Sequence, residues 1–175
     1  MKKAVLNWSG GKDSAICLHE INKTGEYSIE YLLTTINEKF DRITMHGVRT
    51  ALLEEQARKT GIQLIKAELP EMPSMEVYEE RMNAVNSKIK AENIEYSVFG
   101  DIFLEDLRKY REEKAKIAGM IPVFPIWRKP TDKLISEFID AGFKAVVVCT
   151  NANYLDESWL GRTIEGKFLE DLPSN

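Results

Sequence analysis

The stretch Ser9-Gly10-Gly11-Lys12-Asp13-Ser14 gathers residue types that handle a phosphate. Two adjacent glycines reach backbone conformations closed to other residues and let amide N–H groups come close to an anion. Ser9 and Ser14 carry hydroxyl donors, and Lys12 a mobile positive charge. Asp13 would repel phosphate directly, so the pattern gives it a different task, holding a Mg²⁺ ion that bridges the phosphates. Taken alone, the six residues would read as a polar capped turn that binds nothing; their surroundings decide. Residues 4–8 before them are an apolar strand, and Ala15, Leu18 and Ile21 after them recur at helical spacing. A helix beginning there points its positive end into the turn. The pattern is not a Walker A loop, because Leu6 stands where that motif's first glycine belongs. Asn7 likewise rules out a nucleophile elbow around Ser9.

Such a turn needs a rigid frame, and the chain supplies one by alternating strands with helices. Strands are predicted over 4–8, 29–35, 62–69, 95–99, 121–126 and 145–149, with helices over 14–23, 48–60, 105–118 and 131–141. A long helix with Tyr78, Met82, Val85 and Ile89 on one face lies between the third and fourth strands. Residues 37–44 read as a polar loop, and a short helix is expected near Phe168. This order predicts an α/β fold, a parallel sheet with helices on both faces in three layers, wound right-handed. Residues 145–149 (Ala-Val-Val-Val-Cys) have the unbroken apolar character of a strand buried on both faces. The regular pattern ends near Pro130, giving an expected domain of 1–127 and a smaller C-terminal α/β extension, 128–175, that completes the substrate cleft.

Composition narrows the partners. The 175 residues carry 24 Lys and Arg against 28 Asp and Glu, a net charge of −4 that offers nucleic acid no general attraction. No apolar run is long enough for a secretory core or a membrane span, so a cytoplasmic protein without a membrane partner is expected. Two cysteines make neither a disulfide framework nor a four-thiolate metal site, and Cys17 and Cys149 read as small core residues.

The hexapeptide resembles the PP-loop of the N-type ATP pyrophosphatases, Ser-Gly-Gly-x-Asp-Ser directly after the first strand. Further segments resemble the diphthine–ammonia ligase family in the same order along the chain. These are His46-Gly47-Val48, Gly100-Asp101-Ile102 with Arg108 and Glu112, Pro125-Ile126-Trp127, and Leu160-Gly161-Arg162. Of that family's Ser-x-Tyr-Gln-Arg run only Arg108 is kept. The resemblance implies a PP-loop/HUP-type fold and ATP cleaved to AMP and pyrophosphate. It also implies a carboxylate acceptor, a small molecule or a modified protein side chain, that is adenylated and then amidated by ammonia or an amine. ATP would lie on Ser9–Ser14, with its adenine near the backbone of Leu33, Thr34 and Thr35.

Other residues divide between chemistry and bland alternatives. Asp101 follows the fourth strand on the same edge as the loop, where it meets substrate or Mg²⁺ or simply makes the turn after Gly100. Residues 105–116 carry nine charges in twelve, which spacing alone reads as a solvated helix laced with pairs such as Glu105–Lys109, Arg108–Glu112 and Glu112–Lys116. The resemblance makes Arg108 and Glu112, with Arg111 behind them, candidates for positioning acceptor and amine. His46 would reach ATP or acceptor from its loop, Gly100 and Trp127 would border the substrate, and residues 36–45 would form a lid. With no credible glutaminase cysteine, ammonia or an amine is the expected nitrogen source. A homodimer is the default for an enzyme of this size. The competing readings are a tRNA-modifying PP-loop enzyme and a nucleotide-binding module without turnover.

Overall fold

Aliphatic burial builds the sheet. Ala4, Val5 and Leu6 in β1 (Lys2–Asn7) and Leu32 and Leu33 in β2 (Tyr27–Asn37) are all shielded from solvent. The computed structural model describes residues 1–44 and 47–173, and the chain divides into two units between Arg128 and Lys129. In the first, β1 pairs in parallel with β2 and with β5 (Tyr96–Val98). The parallel pairing extends outward, from β2 to β4 (Gln63–Leu69) and from β5 to β6 (Ile121–Val123). The parallel strands therefore run β4-β2-β1-β5-β6, and the winding reverses between β1 and β5. The right-handed rule puts α1 (Lys12–Thr24) and α2 (Thr50–Thr60) on one face. It puts α3 (Met75–Ala91) and α4 (Glu105–Ile117) on the other. Val5, Leu33 and Ala67 share a core with Ile89 of α3 and Ala115 of α4, as that layering requires.

Two expectations need correction in this unit. Residues 37–44 are not a free polar loop. Arg42 and Ile43 form a short strand, β3, antiparallel to Ile36 and Asn37, and Ile43 is buried. The sheet is thus mixed, though mostly parallel. Since β4 occupies the far edge of β2 at this level, β3 must lie on the edge that β1 vacates when it ends. The same pairing counts against a loose lid over 36–45: Thr44 N–H donates to Thr35 O at 3.2 Å and Thr50 N–H to Asp41 O at 3.0 Å, closing the segment into a hairpin. Met45 of that segment lies outside the described residues.

The second unit holds α5 (Thr131–Asp140), a 3₁₀ turn at Glu157–Trp159 and α6 (Gly166–Glu170). Residues 145–149 are not a buried strand. They make one isolated bridge, Val146 to Thr163, with Val146 54% and Val148 75% exposed and Cys149 at the surface. A β-branched run becomes a core strand only when a ladder covers both of its edges. Here the partner is the irregular return through Gly161 to Ile164, so Val146 and Val148 face outward. Arg162 lies 4.3 Å from the Trp159 ring and pairs with Asp171.

Candidate functional site

In an open α/β sheet the crevice lies at the carboxyl ends of the strands where the winding reverses, here between β1 and β5. The turn after β1 enters α1 with Gly11 as its N-cap and no side-chain cap, so the first-turn N–H groups have no side-chain acceptor. Gly10 takes φ +71°, a left-handed conformation that glycine adopts without strain. The two serines work inside the loop. Ser14 Oγ donates to Gly11 O at 2.9 Å, and Ser9 Oγ accepts from Gly11 N–H at 3.3 Å and donates to Ser14 Oγ at 3.3 Å. Lys12 Nζ meets Asp13 Oδ1 at 2.6 Å, with both side chains a little under half exposed.

Gln56 of α2, which sequence reading passed over, braces this loop. Its Nε2 donates to Gly10 O at 3.1 Å, and its Oε1 accepts from Trp8 Nε1 at 3.3 Å. Asn7 is a second omission: its Nδ2 donates to Ser97 Oγ and to Val98 O, both at 3.0 Å, tying β1 to β5 where they diverge. Both residues are single polar side chains inside otherwise ordinary elements, so only the fold brings out their roles.

On the facing strand end, Gly100 is a close-approach glycine. A Cβ there would lie 3.1 Å from Asp13 O and 3.4 Å from Ser14 Cα. Asp101 beside it meets Arg111, whose Nε lies 2.6 Å from Asp101 Oδ2, yet neither atom makes an aligned hydrogen bond. The contact is therefore one of charge, with the N–H directed elsewhere. Arg108 Nε donates to Glu112 Oε1 at 2.7 Å, and its guanidinium sits 4.7 Å from the rings of both Phe124 and Trp127. Of the three helix pairs expected from spacing, this one forms; Glu105 turns instead to Arg128. Trp127 closes a tight turn through its N–H to Phe124 O at 3.2 Å. Thr34 is buried on β2, and Thr35 shares a 2.6 Å hydroxyl contact with Thr44. Trp8 N–H donates to Leu33 O at 2.7 Å, so these threonines begin where β1 ends. His46 lies outside the described residues.

The loop fits a polyphosphate: an uncapped helix mouth, backbone amides and a lysine, with Gly10 packed against Gln56 and Leu53 of α2 too closely for a Cβ. Among the described residues no three His, Cys, Asp or Glu side chains cluster as a metal cage. Mg²⁺ needs no cage, since one carboxylate plus phosphate oxygens is its usual protein environment, and Asp13 fits that role. Among the described residues no helix is long and apolar enough to cross a membrane.

Comparison with known proteins follows the same lines. The model of the diphthamide synthase N-terminal domain matches residues 1–122, and that of the diphthamide synthase C-terminal domain matches 130–174. No curated protein matches the chain. Among solved structures, a predicted subunit of tRNA methyltransferase from Methanocaldococcus jannaschii is similar at TM-score 0.48 and 17% identity, covering 80% of this chain and 76% of that one. U34-tRNA thiolase NcsA from Methanococcus maripaludis, solved with its 4Fe-4S cluster, is similar at TM-score 0.48 and 16% identity. That match covers 81% of this chain and 57% of the thiolase.

Proposed function

The chain belongs to the diphthamide synthase family of PP-loop ATP pyrophosphatases, and on that premise we propose that it is an AMP-forming ligase that joins a carboxylate to ammonia or an amine. The observation that carries this reading is the uncapped glycine loop at the end of β1, facing Gly100 and Asp101 across the reversal point of the sheet.

Ser9, Gly10, Gly11 and Ser14 shape the loop, and its amides and Lys12 take the β- and γ-phosphates. The backbone of Thr34 and Thr35 borders the adenine. Mg²⁺ held by Asp13 and the phosphates would supply a further positive charge at the same place. A carboxylate oxygen of the acceptor attacks the α-phosphorus, the bond to the β-phosphate oxygen breaks, and pyrophosphate leaves against Lys12. The product is an acyl-adenylate. Ammonia then adds to the acyl carbon, AMP departs with the bonding pair, and the nitrogen loses a proton. Asp101, Arg108 and Glu112 orient the reacting partners, and their preset ion contacts reduce the ordering each step requires.

The test is to incubate the protein with α-labelled ATP, Mg²⁺, ammonium and a panel of carboxylates, separating the products. Carboxylate-stimulated AMP and pyrophosphate, with an amide formed in equal amount, is the expected result. ADP and phosphate would refute it, intact ATP would point to a nucleotide-binding module, and AMP formation coupled to modification of added tRNA would identify an RNA acceptor.

A further inference from the structure

On the sheet face opposite α1, α3 and α4 line an open pocket of about 110 Å³. The sheet contributes to this pocket Asn7, the last residue of β1, and Ser97 of β5, which share a hydrogen bond. Phe99, Met82 and Met120 give it an apolar surface, while the amides of Asn83 and Asn86 and the phenols of Tyr78 and Tyr110 add polar groups.

The two cations that line it differ. Lys114 is neutralised by an ion pair with Glu79, itself part of the wall. Arg111 stacks 4.8 Å from the Phe99 ring, and its Nε lies 2.6 Å from Asp101 Oδ2 without an aligned hydrogen bond. A guanidinium has five N–H donors in a planar fork, more than one carboxylate contact uses, and its outer nitrogens suit the carboxylate of a ligand.

We propose that this pocket holds the acceptor as a small carboxylate on a flat-ring stem, the ring against Tyr78 and Met82 and the carboxylate on the outer nitrogens of Arg111. The inference rests on the ligase reading above and adds to it where the second substrate lies. Its position suits the reaction. Asn7 is two residues before Ser9 of the phosphate loop, and Phe99 immediately precedes Gly100, whose α-carbon abuts the start of α1. A carboxylate at Arg111 is thus presented beside the crevice, while the stem stays on the other face of the sheet. The aromatic side chains of Tyr78 and Tyr110 in the wall favour an aromatic stem over a branched aliphatic one.

The test uses the full chain with its methionine methyl groups labelled for NMR. Met82 and Met120 line the pocket, and Met72, 90% exposed, is the reference. Titrating 3-phenylpropionate should move the Met82 and Met120 resonances and leave Met72 in place, while 3-phenylpropionamide binds about tenfold more weakly because it lacks the charge. Arg111→Gln should weaken the acid about tenfold. Asn86→Trp, which fills the pocket from α3, should abolish the shifts. Unmoved Met82 and Met120, equal binding of acid and amide, or unweakened binding by Arg111→Gln would each overturn the proposal. Calorimetry with a nonhydrolysable ATP analogue separates the two readings. Nucleotide binding with silent methionines removes the pocket and spares the ligase reading. Shifted methionines without pyrophosphate release from ATP keep the carboxylate pocket and remove the ligase.

Discussion

The carbonyl of Gly10 is held by Gln56, a residue forty-six positions further along the chain. That one amide also receives the indole N–H of Trp8, so α2 grips the phosphate loop at two points on either side of Ser9. The loop's shape is therefore a property of the packed sheet and its helices. It does not arise from the six-residue motif alone.

Gly10→Ala tests how tightly that shape is set. An added Cβ would fall 2.5 Å from Gln56 Oε1 and 2.9 Å from Leu53 Cδ1, at φ +71°. Leu53 is fully buried and cannot retreat. Backbone strain alone should cost about 1–3 kcal/mol, read as a lower urea midpoint, and the displaced glutamine should weaken binding of a nonhydrolysable ATP analogue. A variant as stable as the parent and equally tight for nucleotide would show that the grip is dispensable.

Replacing Gln56 separates bracing from charge. Gln56→Leu leaves the Gly10 carbonyl and the Trp8 N–H without their partner, a loss of about 1–3 kcal/mol. Gln56→Glu keeps an acceptor for Trp8 but removes the donor to Gly10 and sets a negative charge beside the phosphates. Stability should therefore fall more in the leucine variant, and nucleotide affinity more in the glutamate variant. Chemical denaturation and calorimetry on the same samples check both orders; identical rank in the two assays would contradict the assignment.

Much of this was legible from residue pattern, for stated reasons. Apolar period and glycine punctuation located β1, α1, β2, β4 and α4 to within a few residues, because each buries one continuous face. The short strand at Arg42 and Ile43 was not legible, since two residues carry no period and only the overhang of β2 makes room for them. The valine run 145–149 misled because intrinsic preference for extended backbone says nothing about whether a neighbouring strand exists. At the site, the motif announced Lys12 and Asp13, whereas Gln56 and Asn7 act through contacts 46 and 90 residues away in the chain. Gly100 was marked by resemblance alone, and its physical reason, the backbone of Asp13 against its α-carbon, exists only in the folded chain.

Alkaline titration offers a check on the α3–α4 pocket. Burial is the main cause pushing the Tyr78 phenol above its ordinary value of about 10. Below about pH 9 both folded and unfolded chains hold the proton, and this contribution to stability is fully present. As pH rises, the unfolded chain ionises first, so the contribution is lost through the folded-state value. The urea midpoint of the parent should therefore fall more steeply between about pH 9 and pH 11 than that of Tyr78→Phe. Parallel curves would mean that the phenol is solvated and the pocket wall open.

Lys12 and Asp13 should separate chemistry from stability most cleanly. Their 2.6 Å pair is close, but both side chains remain a little under half exposed, and exposed pairs of this kind contribute about 0–1 kcal/mol. Breaking the pair is thus inexpensive, and a triphosphate at the helix mouth competes for Lys12 with far more charge than one carboxylate. The released Asp13 is then free to hold Mg²⁺. Lys12→Ala and Asp13→Ala should each leave the urea midpoint nearly unchanged, within about 0.5 kcal/mol. Both should cut pyrophosphate release by about 100-fold or more, the usual loss when one charge-stabilising group is removed from a reacting centre. The two differ in one respect. Raising Mg²⁺ should partly restore Asp13→Ala, because the phosphates alone still attract the ion, whereas Lys12→Ala should not respond. Pyrophosphate release measured across a Mg²⁺ series decides between these roles, and equal rescue of both variants would remove the assignment of the metal to Asp13.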